Sequence, residues 1–466
     1  MRKGRWAIIA GSALVLAALA VAGYCMLNPG PKTYASEEDN FKYGSVGVQA
    51  ATGLPYEIWR VLPDVCAASA PAQGYRAFGM IFEAGHETPI GMPLETVIVP
   101  RIGVNCALCH VGQVEDAPGA PPRLLIGAPN TGFDLQRYLR FIFTCAGSDR
   151  FNADAILSQM KRHHGVNPIE GLLYRYVVIP QARKAILQHK SELSFMDRQP
   201  TWGPGRADGF DPAKAQVLRQ PYDGSIDAVD IPALWNERAH AGFGLHWDGI
   251  NTDLREVFLN SGIGNGASAK TIDVKNLDRM RAFVMDLKPA AYPYPINPAL
   301  AAQGKTVFEA KCATCHAFGT GRTGTPINNI EVGTDPYRLS AWTPMALAGF
   351  RDITAYSWRY THFRKTGGYA AVALDGIWAR APYLHNGSAP TLADLLTPPS
   401  QRPARFYRGN QVYDRVNVGF VSQVPGPMTA GIYDTAQPGN GSQGHVYGTD
   451  LPIQDRKALI EYLKGL

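Results

Sequence analysis

Cys106-Ala107-Leu108-Cys109-His110 and Cys312-Ala313-Thr314-Cys315-His316 decide how this chain of 466 residues is read. On one helical turn, two thiols three residues apart reach the two vinyl groups of a single porphyrin, and the histidine that follows is brought under its iron. That is the attachment spacing of a c-type haem, and it occurs twice. Zinc is the rival metal, but finger-like sites draw four ligands from neighbouring pairs, whereas these pairs stand 206 residues apart. A redox dithiol accounts for the cysteines and leaves the abutting histidine of both copies unexplained. The expectation is therefore two covalently bound c-type haems, with Cys106, Cys109, Cys312 and Cys315 carrying the thioethers and His110 and His316 ligating iron.

At 50.6 kDa the chain is long enough for two or three domains with real cores. Its 48 glycines and 35 prolines exceed ordinary usage without reaching low-complexity levels, so helices joined by long packed loops are expected. The 45 basic and 39 acidic side chains are scattered, and a net charge of +6 gives nucleic-acid binding no support. Cys66 and Cys145 are free to pair as a disulfide in an oxidising compartment, which the sequence alone does not decide.

Arg2, Lys3 and Arg5 precede an uncharged stretch from Ala7 to Leu27, whose 21 residues would span about 31 Å as a helix. Residues 1–28 thus read as an export signal or a membrane anchor, with Ala18-Leu19-Ala20 and Ala20-Val21-Ala22 as cleavage sites for the first case. Tyr24 ahead of Cys25 argues against a lipoprotein. Positive charge keeps the amino end inside, which puts the body of the chain in the periplasm or otherwise outside the cytoplasm, held at the membrane if the helix stays.

Residues 29–40 read as a polar tether and 41–288 as the first haem domain. Residues 289–298, rich in proline, form a linker, and 299–466 the second haem domain. Each half ends in an amphipathic helix. In Val274 to Leu287 the apolar spacing runs through Leu277, Met280, Phe283, Val284 and Leu287; in Ile453 to Leu466 it runs through Leu459, Ile460, Leu463 and Leu466. The fold class expected is mainly α: two cytochrome-c-like haem domains in tandem with long loops, plus an N-terminal apolar helix.

The stretch Ala302 to Lys311 ahead of the second run, through its Gly304 and Phe308 positions, resembles the first helix of small c-type cytochromes, which packs against their last helix. Such cytochromes place a ligating Met three residues before a Gly in the loop entering that last helix, and here His445-Val446-Tyr447-Gly448 puts a histidine at that position. The resemblance implies His316 and His445 as the axial pair of the second haem, closed and electron-transferring, with a lower potential than a Met ligand gives. Met428, Met345 and His385 are the alternatives. Ser261 to Ala269, the corresponding stretch of the first half, offers no side chain that binds iron well. An open sixth position is what dioxygen or peroxide needs.

Asp230-Ile231-Pro232-Ala233-Leu234-Trp235-Asn236, His246-Trp247-Asp248-Gly249 and Thr252-Asp253-Leu254-Arg255-Glu256 resemble, in order, three segments of the dihaem cytochrome c peroxidase superfamily. Ala381-Pro382-Tyr383-Leu384-His385-Asn386-Gly387-Ser388 resembles a fourth. Val104-Asn105 and Gly112-Gln113 around the first run look most like the haem-type rubber oxygenase branch. The resemblance implies that Trp247 relays electrons between the haems. Departures count as much. The peroxidases' catalytic glutamate segment is replaced by the glycine-rich Gly262 to Gly266, which removes general acid and base help worth about 10² to 10⁴ in rate. His246 stands where relatives have an aromatic residue, and is either a distal acid, an iron ligand or a hydrogen-bonded core residue.

The function expected is an exported dihaem oxidoreductase. Its first haem would activate dioxygen or hydrogen peroxide, its second would transfer electrons from a partner protein or small reductant, and His246 and Trp247 would be the catalytic residues. A non-catalytic dihaem electron carrier and a cytochrome c peroxidase are the alternatives, and oxygenase action on an apolar alkene fits the missing glutamate.

Overall fold

The computed structural model describes residues 32–426 and 431–466. About 39% of the described residues are helix and 10% strand, which corrects the expectation of a mainly α protein. Frequent glycine and proline stop helices from propagating, so backbone groups between them pair in short ladders instead. Arg206–Asp208 pairs with Ala228–Asp230 in this way, and Pro326–Asn328 with Gly368–Ala370.

The N-terminal apolar helix is likewise not supported. Residues 1–31 lie outside the described residues, and no described helix is long and apolar enough to cross a membrane. The segment read as a tether up to Asn40 is helical from Glu37 to Tyr43, with Ser36 capping the Asp39 amide and Phe41 fully buried.

That short helix lies against Val274–Asp286, where Phe41 meets Phe283 at 5.5 Å and the expected stripe of Leu277, Met280 and Val284 is buried. Leu254–Gly264 covers the same helix, and Gly262 lets it approach: a Cβ there would stand 2.9 Å from Leu277 Cδ1. A larger core gathers Tyr56–Val65, Leu135–Gly147, Ala153–His163 and Ile179–Glu192 around Trp59, which stacks on Tyr75 at 4.1 Å. A Cys66–Cys145 disulfide ties the first two of these helices, closing the pairing that the sequence left open.

In the second half, Pro298–Lys311 crosses the final helix, Ile453–Leu463, with Phe308 and Tyr462 at 5.3 Å. Gly304 sits at the crossing, where an added Cβ would overlap the Ala458 carbonyl oxygen at 1.8 Å, so only glycine fits. Residues 289–298 are packed rather than loose, with Trp378 Nε1 donating to the Ala290 carbonyl.

Buried arginines lock the halves together. Arg338 spans Asp227 and Asp248, both at 3.0 Å, and Arg408 meets Asp230 at 2.6 Å. These pairs are fully desolvated, so removing one partner strands the other's charge in the core.

Candidate functional site: two histidine-bearing turns joined through Trp247

Asn105 builds the first turn. Its side-chain oxygen accepts from the Ala107 amide at 2.9 Å, which starts the Ala107–His110 helix, and its amide nitrogen donates to the Phe41 and Gly44 carbonyls. Asn130 holds the other side, donating to the Leu108 carbonyl while its backbone amide reaches the Cys109 carbonyl. His110 Nδ1 donates to the Pro232 carbonyl at 2.9 Å, which leaves Nε2 as the nitrogen with a free lone pair. Burial lowers this imidazole to about 4, so it is neutral and ligand-competent at physiological pH.

The second turn, Ala313–His316, repeats the device: His316 Nδ1 donates to the Val372 carbonyl at 2.7 Å, and burial again depresses the imidazole. The thiols of Cys106, Cys109, Cys312 and Cys315 are unpaired. Burial pushes Cys106 and Cys312 up to about 11 and Cys109 to about 12, the opposite of the depressed thiols of redox dithiols.

Opposite His316 stands His445, ring centroids 6.3 Å apart. One metal ion bound to both rings, with bonds of about 2.0–2.1 Å, puts the centroids roughly 6 to 6.5 Å apart. Arg402 fixes the loop by donating to the Ser442, Gly444 and His445 carbonyls. His445 takes a left-handed φ of 44° and has a buried Nδ1 without a hydrogen-bond partner. Burial lowers its ring to about 4. Among the alternatives, His385 is stacked on Tyr369 with Nε2 against its hydroxyl at 3.1 Å, Met345 lies exposed, and Met428 falls outside the described residues.

Among the described residues no group of three or more His, Cys, Asp or Glu side chains could hold a metal ion by itself. A structural zinc needs four ligands. At the second turn, paired imidazoles beside paired thiols fit a metal whose remaining ligands come with a porphyrin, and the first turn repeats its thiols and its carbonyl-oriented histidine. The residues present therefore fit haem.

Trp247 joins the two turns. Its Nε1 donates to the Asp230 carbonyl at 2.7 Å, two residues from the Pro232 that holds His110. Its own carbonyl accepts from the Ala370 amide at 2.8 Å, two residues from the Val372 that holds His316. His246, next to it, has a φ of 63° and a buried Nε2 with no partner; burial foremost, then the Arg338 cation, lowers the ring to about 3. Both residues line a cavity of about 150 Å³ that also touches Pro232, Phe210 and Arg338. In the glycine-rich stretch, Gly262 to Gly264 ends the helix packed on Leu277 and Gly266 closes against Thr52.

The carbonyls of Pro232 and Val372, which orient the two histidines, carry no sequence signal, because any residue supplies a carbonyl. Arg338 was also missed; its charge gave no sign of its burial.

Residues 368–407 match the family model described as RoxA-like, cytochrome c-like. The matched segment holds the Gly368–Ala370 strand, the Val372 carbonyl that orients His316, and the 381–388 loop. The match supports a likeness to RoxA-like cytochrome c domains and with it haem binding and a cytochrome-type function. Two relatives come from Sinorhizobium fredii (strain NBRC 101917 / NGR234). The uncharacterized protein y4iM is 32% identical over 288 residues, covering 51% of this chain and 64% of y4iM, so the chain spans just under two thirds of that relative's length. The uncharacterized protein y4iJ is 29% identical over 491 residues, covering 81% of this chain and 78% of y4iJ.

Proposed function

We propose that this chain is an exported dihaem c-type oxidoreductase of the dihaem peroxidase superfamily, closest in kind to its rubber oxygenase branch. Haem at Cys106, Cys109 and His110 would supply binding and activation of dioxygen or peroxide, and haem at Cys312, Cys315, His316 and His445 storage and transfer of electrons. The observation that carries the reading is an asymmetry. His316 has an imidazole facing it at one-metal distance, and no ring contact pairs His110 with a second imidazole among the described residues.

In this reading His110 and His316 hold their irons through Nε2, oriented by the two carbonyls. Trp247 bridges the hydrogen-bonded frame between them, which supports its reading as the relay. His445 saturates the second site against oxygen, and His246 stands over an apolar cavity beside the first. Aromatic walls there favour an apolar organic substrate, and the absent glutamate weighs against ordinary peroxidase action. The Cys66–Cys145 disulfide supports an extracytoplasmic location. The electron donor is a redox protein or a small reductant.

The test is mass spectrometry and reaction spectroscopy of the purified protein. Two covalent haems are expected, with only one changing spectrum when the reduced protein meets air or peroxide. Two six-coordinate haems inert to both oxidants would mark an electron carrier instead.

A further inference from the structure

We propose that the outer face of the helical segment 168–187 is a docking surface for an anionic phospholipid membrane, with Ile169, Leu172, Tyr176 and Val177 as the inserted side chains and Lys161 and Lys184 as the charges that hold it there. It rests on the extracytoplasmic placement proposed above only for where that membrane is met, and not on the haem chemistry.

Residues 168–180 carry only two charges, Glu170 and Arg175, so this stretch is apolar on every side. A helix of that kind is normally covered all round, and one side of it is: Tyr174, Val178, Ile179, Ala182 and Ile186 are buried in the large core of the first half. The other side is bare. Ile169 is 81% exposed, Leu172 59%, Tyr176 71% and Val177 42%. Steps of three and four residues put Ile169, Leu172 and Tyr176 on one face, and Leu187 extends it. Single exposed apolar residues are ordinary, but a contiguous group of them marks a contact surface. The turn Tyr174–Val178 within it is π-helical, a geometry found frequently at functional sites.

Charge decides what covers this face. Residues 151–190 hold six Lys and Arg against two Asp and Glu, which places four of the chain's six net positive charges here. Lys184 is exposed two turns beyond Tyr176 and Val177, and the helix Ala153–His163, packed against the π-helical turn, ends in exposed Lys161 and Arg162. Aliphatic side chains and a tyrosine inside a basic rim suit the boundary of an anionic bilayer, where apolar area enters and each cation near the surface adds its own attraction. A second copy fits worse, because a two-fold contact sets these cations against themselves. The path of the chain agrees. Lys32 donates to the Leu94 carbonyl, Leu94–Val97 pairs with Val99–Ile102, and Arg101 of that strand lies within electrostatic reach of Tyr174. The uncharged stretch 7–27, if kept as an anchor, would join the body on this side.

Hydrogen–deuterium exchange of the purified full-length protein, with and without vesicles, reads this face directly. Local amide exchange is followed rather than the bound fraction, so an anchor retained at the amino end does not supply the signal. Exchange at residues 168–178 is expected to slow with vesicles of equal phosphatidylglycerol and phosphatidylcholine, and to keep its buffer value with phosphatidylcholine alone. Lys161→Gln and Lys184→Gln should each weaken the protection about 5-fold, the factor that corresponds to about 1 kcal/mol per basic group at such a surface. Leu172→Ser with Tyr176→Ser, both exposed and outside the core, should abolish it, whereas Val416→Ser, an exposed aliphatic in the other half, should leave it unchanged. No slowing, equal slowing with both vesicles, or slowing that survives the double serine change would overturn the proposal. Exchange that slows instead with protein concentration in the absence of vesicles would assign the face to a second copy and overturn it as well. None of these outcomes touches the haem reading, because none depends on bound iron.

Discussion

The imidazoles of His316 and His445, 129 residues apart in sequence, face each other with ring centroids 6.3 Å apart. The gap admits one metal ion, and the surrounding hydrogen bonds leave ring nitrogens available on both sides. A site closed by two imidazoles binds its iron low-spin and keeps it from external ligands.

His445→Ala should therefore convert the second haem to a form that binds carbon monoxide, and His445→Met should keep it closed while raising its reduction potential. Redox titration of both variants checks this. A potential and spectrum unaffected by either change would move the axial ligand elsewhere.

Trp247→Phe keeps a ring but removes the bond to the Asp230 carbonyl. Slower equilibration of electrons between the haems is expected after pulsed reduction, with both static spectra unchanged, and a stability loss of about 1–3 kcal/mol from the stranded carbonyl. An unaltered transfer rate would remove Trp247 from the path.

The Cys66–Cys145 disulfide links positions 79 residues apart. In the chain-entropy account, a loop of this size stabilises by roughly 4–5 kcal/mol. Reduction, or the double change Cys66→Ser and Cys145→Ser, should lower the denaturant midpoint accordingly while haem content stays constant. An unchanged midpoint on reduction would mean the bond is open in solution.

Glu237 is 9% exposed, and burial holds its carboxyl up at about 7, above the usual 4.5, against the pull of His240 and Arg380. The folded chain keeps a proton that the unfolded chain releases, so stability from this group is complete below pH 4.5 and lost as pH rises through 7. The interval is worth on the order of 3 kcal/mol. Glu237→Gln should flatten the melting-temperature profile between these pH values, read by calorimetry; a profile that keeps its slope contradicts the assignment.

The two turns were legible because a Cys-x-x-Cys-His run writes its local geometry into its spacing. Two cysteines and a histidine need one turn, and both runs form it. The stripe from Leu277 to Val284 gave its helix almost to the residue, since an amphipathic helix is specified by its own periodicity. The Glu37–Tyr43 helix hid behind three acidic residues with one buried aromatic, although Ser36 followed by Asp39 is a capping signal that could have found it. Hydropathy in residues 7–27 speaks of burial in apolar surroundings, not of an observed helix. Arg206, Arg338 and Arg408 were unreadable for another reason: a buried cation looks like any surface arginine until the fold brings its carboxylates or carbonyls together.

Carbon monoxide titration of the fully reduced protein tests the central asymmetry most directly. With His445 closing the second iron and the first left open, one carbon monoxide should bind per two haems, and the same stoichiometry should survive Trp247→Phe. Two bound per protein, or none, would contradict the account.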